Sequence, residues 1–200
     1  SAYYSWTYIS VTNILVFPSL IGALIVGIIT MKKKIWAPIT VPIYGVLKGI
    51  FLGIVSNIFN SMYDGIVITA ISYTLCILFA LLSVYRLGLI KPTENFKLGL
   101  AAATGGIAIL YLANLGMSFF GSGIPLMDVN NSSMYSIGFS LFVIVIASMN
   151  LVVDFDFIEE GAEKGAPKYM EWYGAFGLMV TLVWLYLEIL KLLAKMNSRK

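Results

Sequence analysis

Six long apolar stretches alternate with short polar segments along this chain. The hydrocarbon core of a bilayer is about 30 Å thick, so a helix needs roughly 20 apolar residues to cross it. Each stretch meets that length, and the segments between them contain the Gly, Pro, Asn and charged residues that end helices. The pattern predicts membrane-spanning helices at approximately residues 14–31, 39–60, 65–85, 98–120, 134–154 and 172–193.

The residues before the first stretch do not form a cleavable signal peptide. Residues 1–9 lack both a basic start and a clean apolar core, and the sequence given has no initiator Met. We therefore expect them to be the end of a further span whose beginning is missing. Residues 1–200 would then form a single transmembrane helical domain with an incomplete N-terminal span.

Composition indicates the same class of protein. The chain is 60% hydrophobic and 12% charged, with a mean hydropathy of +0.91. A soluble protein is about half apolar and about a quarter charged, so there is too little charge here to cover a water-soluble globule. The sequence predicts an all-α polytopic membrane protein that contacts the lipid bilayer. Its net charge of +3 comes from short clusters beside the spans, and no nucleic acid is expected as a partner.

The basic clusters predict the orientation of the spans. Residues 32–34 and 86–97 are rich in Lys and Arg, whereas the segments 60–65 and 121–133 contain neither. The positive-inside rule places the basic segments in the cytoplasm. By alternation the last stretch should end outside, although its tail is basic. Either this stretch crosses against the rule, or it enters the membrane and returns.

One stretch carries a small-residue pattern. Gly45, Gly49 and Gly53 recur at every fourth position, which is typical of a helix face that another helix approaches closely. Ordinary tight packing is the interpretation we adopt for it.

Four charged residues lie within the apolar stretches. Lys48 is in the middle of the second stretch, Asp154 ends the fifth, and Glu188 lies inside the last with Lys191 three positions on. An ionised side chain near the bilayer centre costs about 2.5–3.5 kcal/mol on insertion scales, so each needs a partner or a function. Asn150 shares the helix face of Asp154, one turn earlier.

The residue types that are missing limit the chemistry. The chain has no histidine, which excludes His-ligated metal sites and a Ser–His hydrolase, and its single cysteine cannot form an intrachain disulfide. Sensing pH near neutrality would therefore require carboxyl groups of raised pKa.

Structural interpretations of these charges stay open. Asp154 and Asp156 can simply mark where a helix leaves the bilayer, Glu188 can pair with Lys191, and Lys48 can be a structural counter-ion. A sharper hypothesis joins Asp154 and Glu188. Two carboxyl groups at one site of low dielectric share a proton, which raises one pKa towards neutrality. The protonated pair would hold two helices together, and the ionised pair would separate them and attract cations.

Four blocks of the sequence resemble the Bax inhibitor-1 (transmembrane Bax inhibitor motif) family, particularly its bacterial members. They are "KIWAPITVPIYGVLKGIFLG", "LGLIKPTENFKLGLAAATGGIAILYLANL", "NLVVDFDFIEEGAEKGAPKYMEWYGAFGL" and "TLVWLYLEILKLL". The resemblance implies a seven-helix bundle whose last helix is central, in a multi-pass protein of the cell (plasma) membrane. The incomplete N-terminal span fits that expectation.

The resemblance also implies a function, which is a pH-sensitive calcium leak. The family's two sensor acids correspond to Asp154 in "DFDF" and to Glu188 in "LYLEILKLL", where the family often has Asp. Lys32 in "MKKK" corresponds to a basic residue that can pair with the first acid, and Lys replaces the Arg of related sequences, with loss of bidentate geometry. Ca²⁺ would pass near Asp154 and Glu188 as the permeant ion. No firmly bound metal and no cofactor are expected.

Lys48 departs from the family pattern. Many relatives have the acid of a glutamate-glycine pair where this chain has Lys48 followed by Gly49. A positive charge that faced the pore would repel Ca²⁺. Alternatively, Lys48 points at a carboxylate and lowers its pKa.

Two other functions compete with a leak. The chain could be a non-conducting regulator that binds membrane proteases or other membrane proteins, which the resemblance also allows. It could be an intramembrane enzyme, although Ser122 in "GSG" has no histidine base and only an aspartyl dyad formed by Asp154 and a second acid is conceivable. We expect that it is not an enzyme.

Overall fold

The computed structural model describes the backbone of residues 2–121, 123–129 and 131–198, and within these ranges the side chains of all but residues 2–15 and 119. Ser122, considered above, lies outside the described residues. The described part of the chain is all-helical, with short 3₁₀ turns at Lys34–Trp36 and Pro125–Met127. Its α-helices are α1 (Ala2–Lys32), α2 (Ala37–Met62), α3 (Ile66–Arg86), α4 (Glu94–Phe119), α5 (Met134–Glu163) and α6 (Tyr169–Asn197).

The predicted fold class is confirmed. Helices α2 to α6 are each long and apolar enough to cross a membrane, and Val16–Lys32 of α1 is a shorter apolar segment. Residues 2–9 differ from the prediction, because they are the first turns of α1 and not the end of a separate helix. Residues 10–13 contain no Gly or Pro that would end a helix at that point.

Short connections with defined end groups join the helices. The side chain of Thr93 caps α4 by accepting a hydrogen bond from Phe96 N at 3.3 Å, and Ser133 caps α5 in the same way. The turn between α2 and α3 has Gly65 at φ 75°, a left-handed conformation that Gly adopts without strain. Consecutive helices can therefore run back and forth across the bilayer.

Helix α6 lies at the centre of the bundle, as the family resemblance implies. It packs against α2, α3 and α5, whereas α1 packs mainly on α2. The main core joins α3, α5 and α6 through buried apolar side chains. They are Ile66, Ala70, Ile144, Ala147, Leu151, Phe155, Leu185, Tyr186, Ile189, Leu190 and Ala194.

Helix α4 is the most weakly held of the inner spans. Its principal contacts are with α5, and Leu100 and Ile107 are its buried apolar residues. These two are seven positions apart, so they form a narrow seam along one side of the helix. Most of the remaining surface of α4 is left for lipid.

The last stretch forms one continuous helix that is long and apolar enough to cross the membrane. Helix α6 is unbroken over 29 residues, so the alternative of a re-entrant segment is wrong. Its basic end is buried, since Lys195 is 2% exposed and its Nζ donates to Leu126 O at 3.2 Å and to Ser140 Oγ at 3.0 Å. These oxygens lie in and just after the α4–α5 connection, so α6 ends at that side of the bundle.

The glycine pattern of α2 does not bring another helix close along its whole length. A Cβ added to Gly45 would lie 3.6 Å from Met179 Cε on α6, which is ordinary contact. A Cβ added to Gly49 or Gly53 would meet no described atom within 4 Å. The prediction of close approach is therefore wrong for these two positions, although α2 stays in contact with α6 beyond them, where Ser56 Oγ lies 2.6 Å from Tyr186 Oη.

Candidate functional site

A cavity of about 680 Å³ opens between α1, α2, α5 and α6, with one residue of α4 at its edge. Its wall is mostly apolar, as in Leu24, Ile28 and Phe176. Polar groups interrupt that wall at a few positions. They are Tyr44, Lys48, Thr104, Asn150, Asp154, Tyr173 and Thr181.

Asp154 is the acidic group of this cavity. Its Oδ1 lies 3.3 Å from the point that a Cβ on Gly177 would occupy, so the absence of a side chain at Gly177 gives the carboxyl group its space. The hydroxyl of Thr181 is beside the same carboxyl group. Its Oδ2 is buried and has no hydrogen-bond partner within the described part of the chain. Buried polar atoms are nearly always partnered, so this oxygen is a place where a proton or a cation could bind.

Asn150 lies one turn before Asp154 on α5 and lines the same cavity. Its Nδ2 donates to Thr104 Oγ1 at 2.9 Å and to Ile146 O at 2.9 Å. The first bond fixes α5 to α4 at the edge of the cavity. Asn150 therefore stabilises the contact between α4 and α5, the helix that carries Asp154.

The two lysines proposed as partners of Asp154 lie in different places. Lys48 lines the same cavity, and its Nζ is 5.4 Å from the centre of the Phe51 ring and 5.8 Å from that of Tyr44. Lys32 is exposed at the end of α1, where only its neighbour Met31 reaches the cavity. Among the described side chains, neither lysine forms an ion pair with Asp154. For Lys32 the reason is its position on the helix, which directs it away from the bundle.

Glu188 belongs to a second, closed cluster. It is 2% exposed, and its Oε1 accepts hydrogen bonds from Tyr111 Oη at 2.6 Å and from Lys191 Nζ at 2.6 Å. Lys191 Nζ also donates to Tyr111 Oη at 3.1 Å. Three groups from α4 and α6 thus form a triangle. The simple pairing of Glu188 with Lys191 that the sequence allowed is confirmed.

The two acids do not share a proton in this structure. Asp154 is beside Gly177 and Thr181, and Glu188 follows Thr181 by seven positions on α6, a rise of about 10 Å. No hydrogen bond between described residues joins the two carboxyl groups. Glu188 instead pairs with Lys191, which lies three positions further along the same helix. The acids form two separate sites in series along α6.

Trp184 is the boundary between these sites. It lines both the cavity of Asp154 and a smaller cavity of about 450 Å³ that contains Tyr111, Glu188 and Lys191. One face of α6 therefore carries polar or small groups through the whole bundle, with the indole in the middle. This face consists of Gly177, Thr181, Trp184, Glu188, Lys191 and Lys195.

Helix α4 contributes residues that the sequence reasoning missed. Lys97, Thr104 and Tyr111 are spaced by seven positions, so they project from one side of the helix. Each makes a polar contact with α5 or α6, in order with Asp156 Oδ2 at 2.7 Å, with Asn150 Nδ2 at 2.9 Å and with Glu188 Oε1 at 2.6 Å. The repeat of polar residues in an otherwise apolar helix was the signal that could have found Thr104 and Tyr111.

Asp156 lies apart from Asp154. It pairs with Lys97 and is 3.5 Å from Tyr85 Oη, whose hydroxyl also donates to Glu159. Two positions along a helix turn a side chain by about 200°, so Asp156 faces away from the cavity. It marks the polar end of α5, in agreement with the simpler interpretation of this residue.

These features define a multi-pass α-helical membrane protein with a polar face on its central helix and two acids, Asp154 on α5 and Glu188 on α6, beside that face at different depths. A family model described as "Bax inhibitor 1 like" matches residues 1–198. The chain therefore belongs to the Bax inhibitor-1 family. No curated protein and no solved structure matches it.

Proposed function

We propose that this protein is a pH-sensitive cation leak of the cell (plasma) membrane, of the bacterial type that the resemblance implies. The observation that carries the proposal is Asp154, whose carboxyl group belongs to the wall of a large cavity and whose buried Oδ2 has no hydrogen-bond partner among the described residues. An apolar wall leaves the charge of this group poorly solvated, so it attracts a cation when it is ionised. Calcium is the permeant ion that the family resemblance suggests. The proposal includes no catalytic step.

The two acids act in series in this mechanism. Cations enter the cavity when Asp154 is ionised, and protonation of Asp154 removes the attraction. Trp184 and the triangle of Tyr111, Glu188 and Lys191 close the path beyond the cavity. Passage requires that this second cluster opens. The flux should therefore rise with pH, because deprotonation creates the charge that attracts the cation.

A flux assay in liposomes tests the proposal. Purified protein is reconstituted with a calcium- or potassium-sensitive dye inside, and flux is recorded between about pH 6 and pH 8. We expect Asp154→Asn to abolish the rise of flux with pH, and Glu188→Gln to change the rate by loosening the second cluster. Asp156→Asn is the matched control, since it alters an acid on the same helix that does not line the cavity.

Two outcomes would contradict the proposal. If flux still rises with pH to the same extent in Asp154→Asn, Asp154 is not the pH-sensitive group of the leak. A protein that passes no cation at any pH, but copurifies with a membrane protease, would favour the non-conducting regulator instead.

A further inference from the structure

Lys48 and Asp154 are the two charged side chains among the described residues that line the large cavity. Both lie well inside their helices, Lys48 in the middle of α2 and Asp154 nine positions before the end of α5. Charge on the cavity wall is therefore one positive and one negative group. The ordinary expectation for a calcium site is several acidic oxygens together. Within the described ranges no group of three His, Cys, Asp or Glu residues could hold a metal ion.

The ammonium group of Lys48 is available to act on an ion in the cavity. It is half-buried, it has no ion-pair partner among the described side chains, and its nearest defined neighbours are the rings of Phe51 and Tyr44. Aromatic rings attract a cation only weakly compared with a carboxylate. No carboxylate among the described side chains therefore neutralises the charge of Lys48. That charge can act on a cation that enters the cavity.

Coulomb's law gives the size of the effect. A sphere of 680 Å³ is about 11 Å across, so an ion inside it lies within about 10 Å of Lys48 Nζ. At an effective dielectric constant of about 20, one unit of charge at that distance disfavours a monovalent cation roughly 15-fold. The effect is squared for a divalent cation, to roughly 250-fold. The lysine therefore discriminates between the two classes of ion by about an order of magnitude.

We propose that Lys48 is the selectivity-determining residue of this cavity, and that it cancels the preference for divalent cations that Asp154 alone would create. This inference rests on the proposed function, because it presupposes that cations pass Asp154. The attraction by ionised Asp154 and the repulsion by Lys48 both double for a divalent ion, so at similar distances the two charges offset one another for both classes of cation. Without Lys48, the carboxylate alone would favour Ca²⁺ over K⁺ by about an order of magnitude.

The test compares calcium and potassium flux through the same liposomes. We expect the wild-type protein to pass both K⁺ and Ca²⁺, and Lys48→Gln to raise the ratio of Ca²⁺ to K⁺ flux about tenfold. Lys48→Arg keeps the charge and should keep the wild-type ratio. Lys164→Gln is the matched control for the loss of a lysine charge, because Lys164 is exposed and lies outside the cavity.

The results separate this inference from the proposed function. If K⁺ and Ca²⁺ both pass and Lys48→Gln leaves their ratio unchanged, Lys48 does not set selectivity and the cation leak itself stands. If neither ion passes in the wild-type protein, both proposals are wrong. Should Lys48→Gln fail to fold, Lys48→Met removes the same charge, and an unchanged ratio of Ca²⁺ to K⁺ flux in that variant overturns the inference.

Discussion

Replacing Lys191 by methionine would remove the ammonium group that lies 2.6 Å from Glu188 Oε1. Glu188 would then keep only the Tyr111 hydroxyl, in a place where its side chain is 3% exposed. Removing one partner of a buried ion pair costs about 3–5 kcal/mol, because the other charge is left without compensation. The side chain of Lys191 is 26% exposed, so we expect a loss near the lower limit, about 3 kcal/mol of unfolding free energy.

A double-mutant cycle isolates the pair. The cycle combines Lys191→Met with Glu188→Gln, and the double variant should recover much of the loss because no buried charge remains. We expect an interaction energy of about 2 kcal/mol between the two positions. Unfolding is followed in detergent by denaturant titration, with tryptophan fluorescence as the signal.

Additive losses would refute the reasoning. If the double variant loses the sum of the two single losses, the pair contributes nothing and the second cluster is held by packing alone. The pair formed by Lys164 and Glu160 is the control. It is also a lysine–glutamate pair within one helix end, but its side chains are 72% and 49% exposed, so its interaction should be far smaller.

Two further predictions concern glycines on α6. Gly177→Ala would place a Cβ 3.3 Å from Asp154 Oδ1, so the carboxyl group must move, and we expect the pH dependence of cation flux in liposomes to change. Gly174→Ala would place a Cβ 2.9 Å from Ile158 Cγ1, which should lower stability by about 1–3 kcal/mol in the same denaturant titration. Gly138→Ala, where the added Cβ meets no described atom within 4 Å, should leave the flux unchanged and should not lower stability, because Ala is favoured over Gly inside a helix. Unchanged pH dependence of flux in Gly177→Ala would contradict the close approach of Asp154 to this glycine. Unchanged stability in Gly174→Ala would contradict the close approach of Ile158.

The helices could be predicted because their cause is local. Each apolar stretch is long enough to span the bilayer by itself, and backbone groups in lipid must be paired within the helix. The limits were less certain where nothing local ends a helix, as at residues 10–13, through which α1 simply continues. The same locality explains why the pairing of Glu188 with Lys191 was visible, since the two are three positions apart on one helix.

Contacts between helices could not be predicted because they depend on how each helix is rotated and shifted along its neighbours. Asp154 was expected to meet Glu188, yet α6 presents Gly177 and Thr181 at the depth of Asp154. Gly49 and Gly53 were expected to face a neighbouring helix, yet they face open space. In both cases the residues were correctly identified as unusual. The sequence did not predict how the helices are shifted and rotated relative to one another.

The buried ammonium group of Lys195 bears on how the chain assembles. Four basic residues near the end of the chain would ordinarily hold that end in the cytoplasm, yet Lys195 is covered by oxygens of Leu126, Ser136 and Ser140. All three acceptors are synthesised before the donor. Synthesis in chain order therefore makes these acceptors available before α6 inserts, so the ammonium group of Lys195 can exchange its water for protein oxygens as the helix docks.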